Sequence, residues 1–139
     1  MDAERLLAAA EAWAAADPDP ETRAELTALI EAGDMEALDA AMGGTLTFGT
    51  AGIRGRVGAG SNRMNRAVVI RTTAGLAAYL SRMRPGAGPV ALGYDARLSS
   101  RAFAEDAIGV LVAAGIPVRF FAEPVPTPLV AYAARRIGA

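Results

Sequence analysis

The sequence predicts an α/β protein, in which a mixed or parallel sheet is flanked by helices and preceded by an N-terminal helical segment. Two observations carry this prediction. Residues 3–42 have helical patterns only, whereas short apolar runs alternate with helical patterns from residue 45 onward. Strands separated by helices of this length need crossover connections, which are typical of parallel sheets. At 139 residues the chain is long enough to bury a core of its own.

Three helices are predicted in the first part of the chain. The first covers residues 3–16, which are strong helix formers. Asp19 is a candidate N-cap of the second helix, and Gly33 is a candidate for its C-terminal end. The third helix runs from Asp34 to the Gly43-Gly44 pair. We interpret its acidic side chains as a solvated face, because carboxylates on helices usually face water.

Strands and helices alternate in the rest of the chain. In chain order the predicted elements are a strand at 45–48, a helix that Asn65 caps and that ends near Met83, a turn at 84–88, a strand at 89–94, a helix capped by Ser99 or Ser100 and closed by Gly115, a strand at 116–121 and a helix at 129–137. No strand follows the last helix to complete its crossover. We therefore interpret the sheet as incomplete at the C-terminus and the sequence as an amino-terminal fragment. The alternative is a natural domain that ends on a helix, and the order of the elements alone does not decide between the two.

The stretch at residues 45–66, TLTFGTAGIRGRVGAGSNRMNR, has five glycines, four arginines and no acid. Glycine lets a backbone N–H approach a ligand closely, and the planar guanidinium of arginine donates two hydrogen bonds to a phosphate or carboxylate. This combination indicates a phosphate-binding loop. A glycine-rich surface connection with solvated arginines is the alternative, and it stays open because the stretch has no fixed fingerprint.

Composition excludes several kinds of site. The chain has no cysteine, histidine or lysine, so it holds no disulfide, no Ser-His triad and no P-loop lysine. Residues 1–39 contain 11 acids and two arginines, whereas residues 40–94 contain seven arginines and no acid. This basic middle favours small anions; nucleic acid is disfavoured because few aromatic side chains accompany the charge. No signal peptide or membrane span is evident, and a cytoplasmic location is expected.

Two further motifs follow the glycine-arginine stretch: GYDARLSS at residues 93–100 and PVPTPLV at residues 124–130. In this order the three motifs resemble those of the α-D-phosphohexomutases, the phosphoglucomutase and phosphomannomutase family. The form FGTAGIRG followed by NRMN is most similar to the branch of bacterial α-phosphoglucomutases and phosphopentomutases. The resemblance covers nearly the whole chain, and three ordered motifs are more specific than any one of them.

The resemblance implies a four-domain enzyme. Residues 1–43 would be a helical N-terminal extension, and residues 44–139 would be domain I, truncated before the phosphoserine loop. The implied function is interconversion of hexose 1-phosphate and hexose 6-phosphate, with glucose as the expected sugar, through a phosphoserine and a 1,6-bisphosphate intermediate. Implied cofactors are Mg²⁺ and an activator of the glucose 1,6-bisphosphate type. The serine and the metal ligands would lie outside this chain, so the fragment alone is expected to be inactive.

The same resemblance implies roles for particular residues. Arg54 would be catalytic, stabilising the transferring phosphoryl group. Five residues would support the loop or bind substrate phosphate: Thr50, Ala51, Gly52, Arg63 and Asn65. Asp95 and Arg97 would order the surroundings of the site; the alternative is an aspartate that caps a strand end beside a partly exposed arginine. No metal ligand is assigned within the chain. The implied partners are a phosphosugar and the remaining mutase domains, with no nucleic acid and no membrane.

Two other functions remain open from the residues themselves. One is a non-catalytic module that binds phosphate or a sugar phosphate through the arginine loop. The other is a dinucleotide-binding domain, which is disfavoured because no G-x-G-x-x-G motif opens a helix after a strand.

Overall fold

The computed structural model describes residues 2–86 and 88–139. The chain divides into two compact units, Met1–Val68 and Val69–Ala139. The predicted turn at residues 84–88 includes Ala87, which lies outside the described residues. Among the described residues, no helix combines the length and the apolar character that are needed to cross a membrane.

The first unit begins with three helices, α1 (Ala3–Ala16), α2 (Pro20–Ala32) and α3 (Met35–Met42). Each helix has an aspartate at its N-cap whose carboxylate accepts a backbone N–H of the first turn. The predicted cap Asp19 accepts from Glu21 at 3.0 Å. Gly33 ends α2 in the left-handed conformation, with φ of +63°. The predictions for these helices are therefore confirmed.

The core of this unit forms where the three helices meet. Its fully buried members are Leu6, Ala10, Ala14, Leu26, Leu38, Ala41, Met42 and Ala59. Leu7 and Trp13 of α1 pack against this core and are partly buried. Ala59 comes from the glycine-arginine stretch and is only 1% exposed. The helices thus share one core with the candidate phosphate loop.

A buried aspartate joins α1 to α2. Asp17 is 2% exposed, and its carboxylate accepts the hydroxyl of Thr22 at 2.8 Å and the backbone N–H of Asp19 at 3.0 Å. The guanidinium of Arg23 donates to the carbonyl oxygen of Asp17. These bonds satisfy polar groups that would otherwise be costly to bury, and they fix the turn between the two helices.

The strand predicted at residues 45–48 is wrong in its extent. Residues 45–47 are irregular, and the strand β1 (Phe48–Gly49) pairs antiparallel with β2 (Gly52–Ile53). The two residues between these strands, Thr50 and Ala51, form the turn of a short hairpin. Gly52 adopts φ of +87°, a conformation that L side chains rarely take. The motif therefore folds back on itself instead of entering a longer sheet.

The helix α4 (Arg66–Met83) starts in the first unit and continues into the second. Its bounds agree with the helix predicted from Asn65 to about Met83. Thr73 and Ala77 of this helix are buried, but Leu76 is 46% exposed.

The second unit contains a β-α-β arrangement. The strands β3 (Val90–Leu92) and β4 (Val118–Phe120) pair in parallel, with α5 (Ser100–Ala113) between them in the chain. The helix α6 (Thr127–Ile137) packs against β3 and begins two residues before the predicted start at 129. The two strands are shorter than predicted. The α/β class and the parallel pairing are confirmed.

Candidate functional site

The hairpin presents the predicted catalytic arginine to solvent. Thr50 and Ala51 are exposed at its turn, and Gly52 is half-buried. Arg54 follows β2 directly and is exposed. In the part of the chain that the structure describes, its guanidinium has no hydrogen-bond or ion-pair partner.

The segment after the hairpin closes on itself through backbone hydrogen bonds. The N–H of Met64 donates to the carbonyl oxygen of Arg56 at 2.8 Å, and the N–H of Gly58 donates to the carbonyl oxygen of Met64 at 3.2 Å. Val57 and Met64 therefore pair as an isolated parallel bridge. Residues 56–64 form a closed loop whose two ends lie side by side.

Asn65 organises this loop from inside. It is 2% exposed, and its Nδ2 donates to the carbonyl oxygens of Gly58 at 2.9 Å and Gly60 at 2.8 Å. Its Oδ1 accepts the backbone N–H of Val68 at 2.9 Å, which confirms the predicted cap of α4. Since both amide hydrogens and the oxygen already form hydrogen bonds within the protein, this side chain stabilises the loop and the start of α4.

The loop is also attached to the third helix. The N–H of Asn62 donates to the carbonyl oxygen of Ala41 at 2.9 Å, and its Nδ2 donates to the carbonyl oxygen of Ala40 at 3.2 Å. Ser61 Oγ donates to the carbonyl oxygen of Gly44 at 2.7 Å. The bonds from Asn62 satisfy carbonyl groups in the last turn of α3, where no further helical turn supplies a donor. The bond from Ser61 satisfies a carbonyl group just after the helix.

Gly60 shows how closely the loop approaches this helix. It adopts φ of +97°, and a β-carbon at this position would overlap the carbonyl oxygen of Ala41. Only glycine fits both the conformation and the space.

A glutamate attaches the closed loop to the second helix, α2. Glu25 Oε2 accepts the backbone N–H of Ala59 at 3.0 Å. Sequence reasoning missed Glu25, Ser61 and Asn62 as loop supports. No local signal marks Glu25, because its partner lies 34 residues along the chain.

Arg63, the second predicted phosphate-binding arginine, is partly buried. Its Nη1 donates to the carbonyl oxygen of Asn62 at 3.1 Å, a bond between neighbouring residues. Six of the predicted residues lie in the first unit, in or directly beside the hairpin and the closed loop: Thr50, Ala51, Gly52, Arg54, Arg63 and Asn65.

Asp95 and Arg97 belong to the second unit and form a local network there. Asp95 Oδ1 accepts the hydroxyl of Ser100 and the backbone N–H of Arg97, and Arg97 Nε lies 3.3 Å from Oδ2. The hydrogen bond from Ser100 is the main reason why the pKa of Asp95 is lowered from its ordinary value; the backbone bond from Arg97 adds to it. Both side chains are largely exposed.

The predicted caps of α5 differ in their contacts. Ser99 occupies the N-cap position but makes no side-chain capping bond. Ser100 is the first helical residue, and its hydroxyl is used by Asp95 instead.

A cleft of about 420 Å³ opens beside this network. It lies where β3 ends, and its polar lining comes from Asp95, Ser100 and Thr127. Val125 and Val130 contribute to its apolar wall. Gly93 adjoins both valines so closely that a β-carbon there would lie within 2.8 Å of each. The GYDARLSS and PVPTPLV motifs therefore meet in one packed region of this unit.

The chain is similar in sequence to known proteins. The sequence model described as "Phosphoglucomutase/phosphomannomutase, alpha/beta/alpha domain I" matches residues 45–139. The chain belongs to this family. The match confirms the resemblance stated above and the α/β class of a phosphoglucomutase/phosphomannomutase domain I.

Curated relatives from this family extend the match into the helical segment. A probable phosphoribomutase from Schizosaccharomyces pombe is 38% identical over 128 residues, which are 91% of this chain and 22% of the relative. A phosphopentomutase from Mus musculus is 37% identical over 86% of this chain and 21% of its own length. A glucose 1,6-bisphosphate synthase from Homo sapiens is 34% identical over 91% of this chain and 22% of its own length.

The chain spans about a fifth of the length of these relatives. No solved structure matches the chain.

Proposed function

We propose that this chain is the amino-terminal part of a phosphosugar mutase, which moves a phosphoryl group between the C1 oxygen and the terminal hydroxyl of a sugar. The family match over residues 45–139 is the observation that carries the proposal. The relatives that it resembles are named as phosphomutases or as a sugar-bisphosphate synthase. All of these names describe phosphoryl transfer on a phosphosugar.

Arg54 is the residue proposed to act on the transferring phosphoryl group. Its guanidinium is exposed on a short hairpin and has no partner among the described residues. A phosphoryl group in transfer spreads negative charge over its equatorial oxygens, and a preorganised cation aimed at those oxygens lowers the barrier. An arginine can donate two parallel hydrogen bonds to such oxygens.

The neighbouring residues are proposed to divide into two roles. Thr50 and Ala51 of the hairpin turn, together with Gly52 at the start of β2, would hold the loop beside the phosphorylated serine and offer backbone donors. Arg63 is proposed to contribute positive charge toward phosphate. For Asn65 we propose loop support and no direct phosphate contact, because both of its N–H groups already donate to backbone carbonyl oxygens.

Asp95 and Arg97 are proposed to order the second unit. Their mutual ion pair and the bond to Ser100 hold the start of α5. This role supports the site without chemistry of its own.

The phosphoserine and Mg²⁺ are proposed to come from polypeptide outside this chain. Within residues 2–86 and 88–139, no group of three or more acidic side chains could hold a metal ion. The roles proposed for Arg54 and its neighbours do not depend on the ion. A cytoplasmic location belongs to the same proposal.

Glucose 1-phosphate is the first proposed substrate, with glucose 1,6-bisphosphate as the intermediate. The names phosphoribomutase and phosphopentomutase favour a second candidate, a pentose 1-phosphate that is converted to the 5-phosphate. The test compares kcat/KM for glucose 1-phosphate and ribose 1-phosphate, using the complete polypeptide that carries this chain. Turnover of either sugar supports the mutase proposal, and the larger kcat/KM assigns the substrate.

A binding module without catalysis is the outcome that would replace this proposal. It predicts no turnover of either sugar, together with phosphate binding by the chain that is lost in Arg54→Ala. Titration calorimetry of the wild type and the variant with inorganic phosphate measures that difference.

A further inference from the structure

Glu25 is an exposed residue of α2 whose carboxylate contacts the closed loop. Its Oε2 accepts the N–H of Ala59 at 3.0 Å across 34 residues of sequence. Ala59 is 1% exposed and is part of the core that the three helices form. A hydrogen bond to a carboxylate is roughly twice as strong as one between neutral groups. The helix therefore holds the loop at one fixed point of its backbone.

The second carboxylate oxygen also lies against the loop. A β-carbon on Gly58 would be 3.2 Å from Glu25 Oε1 and 3.9 Å from Arg63 Cγ. Glycine at this position thus leaves room for the carboxylate beside the backbone. The N–H of Gly58 donates to the carbonyl oxygen of Met64, so the same residue belongs to the bridge that closes the loop.

The path from this anchor to Arg54 is short and constrained. Only residues 55–57 separate Arg54 from Gly58. Within that stretch, the carbonyl oxygen of Arg56 accepts the N–H of Met64. Gly55 faces the side chain of Leu46, which lies 2.8 Å from where a β-carbon would be. The held residue Ala59 therefore lies five positions after Arg54 in the same connected stretch of backbone.

We infer that Glu25 is a positioning residue for Arg54: its carboxylate fixes the loop, and the loop fixes the backbone from which the guanidinium projects. The inference rests on the proposed function. Because Arg54 is assigned to the transferring phosphoryl group, loss of the anchor lowers kcat more than it changes KM. A displacement of about 1 Å in a catalytic group can cost on the order of 100-fold in rate.

The test uses the complete polypeptide with three single variants. Glu25→Ala removes the acceptor, Glu25→Gln keeps an oxygen acceptor at the same reach, and Glu31→Ala removes another exposed acid of the same helix. Glu25→Ala is expected to lower kcat roughly tenfold or more, with KM within about twofold. The kcat of Glu25→Gln is expected to stay within about threefold of the wild type, because the acceptor is kept. The same is expected for Glu31→Ala, because Glu31 does not accept the N–H of Ala59.

A double-mutant cycle separates positioning from a general loss of stability. If Glu25 acts through Arg54, adding Glu25→Ala to Arg54→Ala produces no further loss of kcat. Equal losses in both backgrounds, or a folded Glu25→Ala variant with wild-type kcat, would overturn the inference. Should Glu25→Ala fail to fold, Glu25→Asp replaces it, because the shorter side chain withdraws the carboxylate while keeping its charge. A folded Glu25→Asp variant with wild-type kcat overturns the inference, and a reduced kcat supports it.

The activity of the wild type distinguishes failure of this inference from failure of the proposed function. A wild type that turns over neither sugar removes both proposals. An active wild type whose kcat does not respond to substitution of Glu25 removes this inference alone.

Discussion

Nδ2 of Asn65 donates a hydrogen bond to the carbonyl oxygen of Gly60 at 2.8 Å, at a point where both residues are buried. The same nitrogen reaches the carbonyl oxygen of Gly58 at 2.9 Å. One side chain thus satisfies two carbonyl groups of a turn that is too tight to pair them with its own backbone. Since its oxygen also caps α4, the loop and the helix that follows it share a single fixed point.

Replacing Asn65 by alanine is therefore expected to destabilise the fold. Two buried or half-buried carbonyl groups would lose their donor, and the helix would lose its cap, so the free energy of unfolding should fall by roughly 2–4 kcal/mol. Asn62→Ala is the control, because that partly buried amide makes one side-chain bond, to the carbonyl oxygen of Ala40. Asn62→Ala should lower the free energy of unfolding by about 1 kcal/mol. Urea denaturation measures both; equal losses would contradict the central role of Asn65.

Substitution of Arg54 tests the proposed chemistry. Arg54→Ala is expected to lower kcat of the complete polypeptide by about 10²–10³, the usual cost of removing one preorganised donor at a charge-developing site. The kcat of Arg54→Lys should lie between those of the wild type and Arg54→Ala, because lysine keeps the positive charge but lacks the planar guanidinium. Arg5→Ala is the matched control: its side chain is 81% exposed and pairs only weakly with Asp2 on α1. Steady-state kinetics with an unaltered kcat for Arg54→Ala would refute the assignment.

Gly60 should not tolerate a side chain. Gly60→Ala forces an L residue to adopt φ of +97° and places a β-carbon on the carbonyl oxygen of Ala41. We expect a loss of at least about 1–2 kcal/mol, from backbone strain and displacement of the loop. Gly75→Ala in α4 is the opposite case, because no atom apart from its chain neighbours and the backbone of its own helix lies within 4 Å of its β-carbon position. That variant should gain roughly 0.5–1 kcal/mol. Thermal melting of both variants gives the comparison, and a Gly60→Ala variant as stable as the wild type would show that the loop does not require glycine there.

The pKa of Asp95 provides a pH-dependent test. The hydrogen bond from Ser100 lowers this pKa from the ordinary value of 3.8. A carboxyl whose pKa is lower in the folded state stabilises the fold above the unfolded pKa, and that contribution is lost as the pH falls through the folded value. Ser100→Ala should therefore raise the pKa of Asp95 toward 3.8. Carboxyl NMR titration of the wild type and the variant measures the change, and identical midpoints would contradict the assigned cause.

Local signals in the sequence were sufficient for much of the fold. Asp19, Gly33 and Asn65 were recognised because each acts on backbone within a few residues of itself, so residue type and spacing reveal the role. The parallel pairing of β3 and β4 followed from a helix between two apolar runs. The three ordered motifs led to the family for the same reason: each is a contiguous stretch.

Contacts between distant residues could not be derived in that way. Glu25 looks like any exposed helical acid, yet its partner Ala59 lies on a loop that only the tertiary fold brings near. Asp17 sits in an acidic segment and is nevertheless 2% exposed, because the turn between α1 and α2 supplies its donors. The strand at 45–48 was misplaced since the pattern of apolar residues does not reveal that the glycines turn the chain back into a hairpin.

The shared core has a practical consequence for anyone who redesigns or trims this protein. Of its eight buried members, seven precede residue 45, where the recognised family segment begins. An expression boundary drawn at that segment would leave Ala59 without the surface it packs on. Grafting Arg54 and the closed loop into another scaffold would therefore require transplanting the amino-terminal helices along with them.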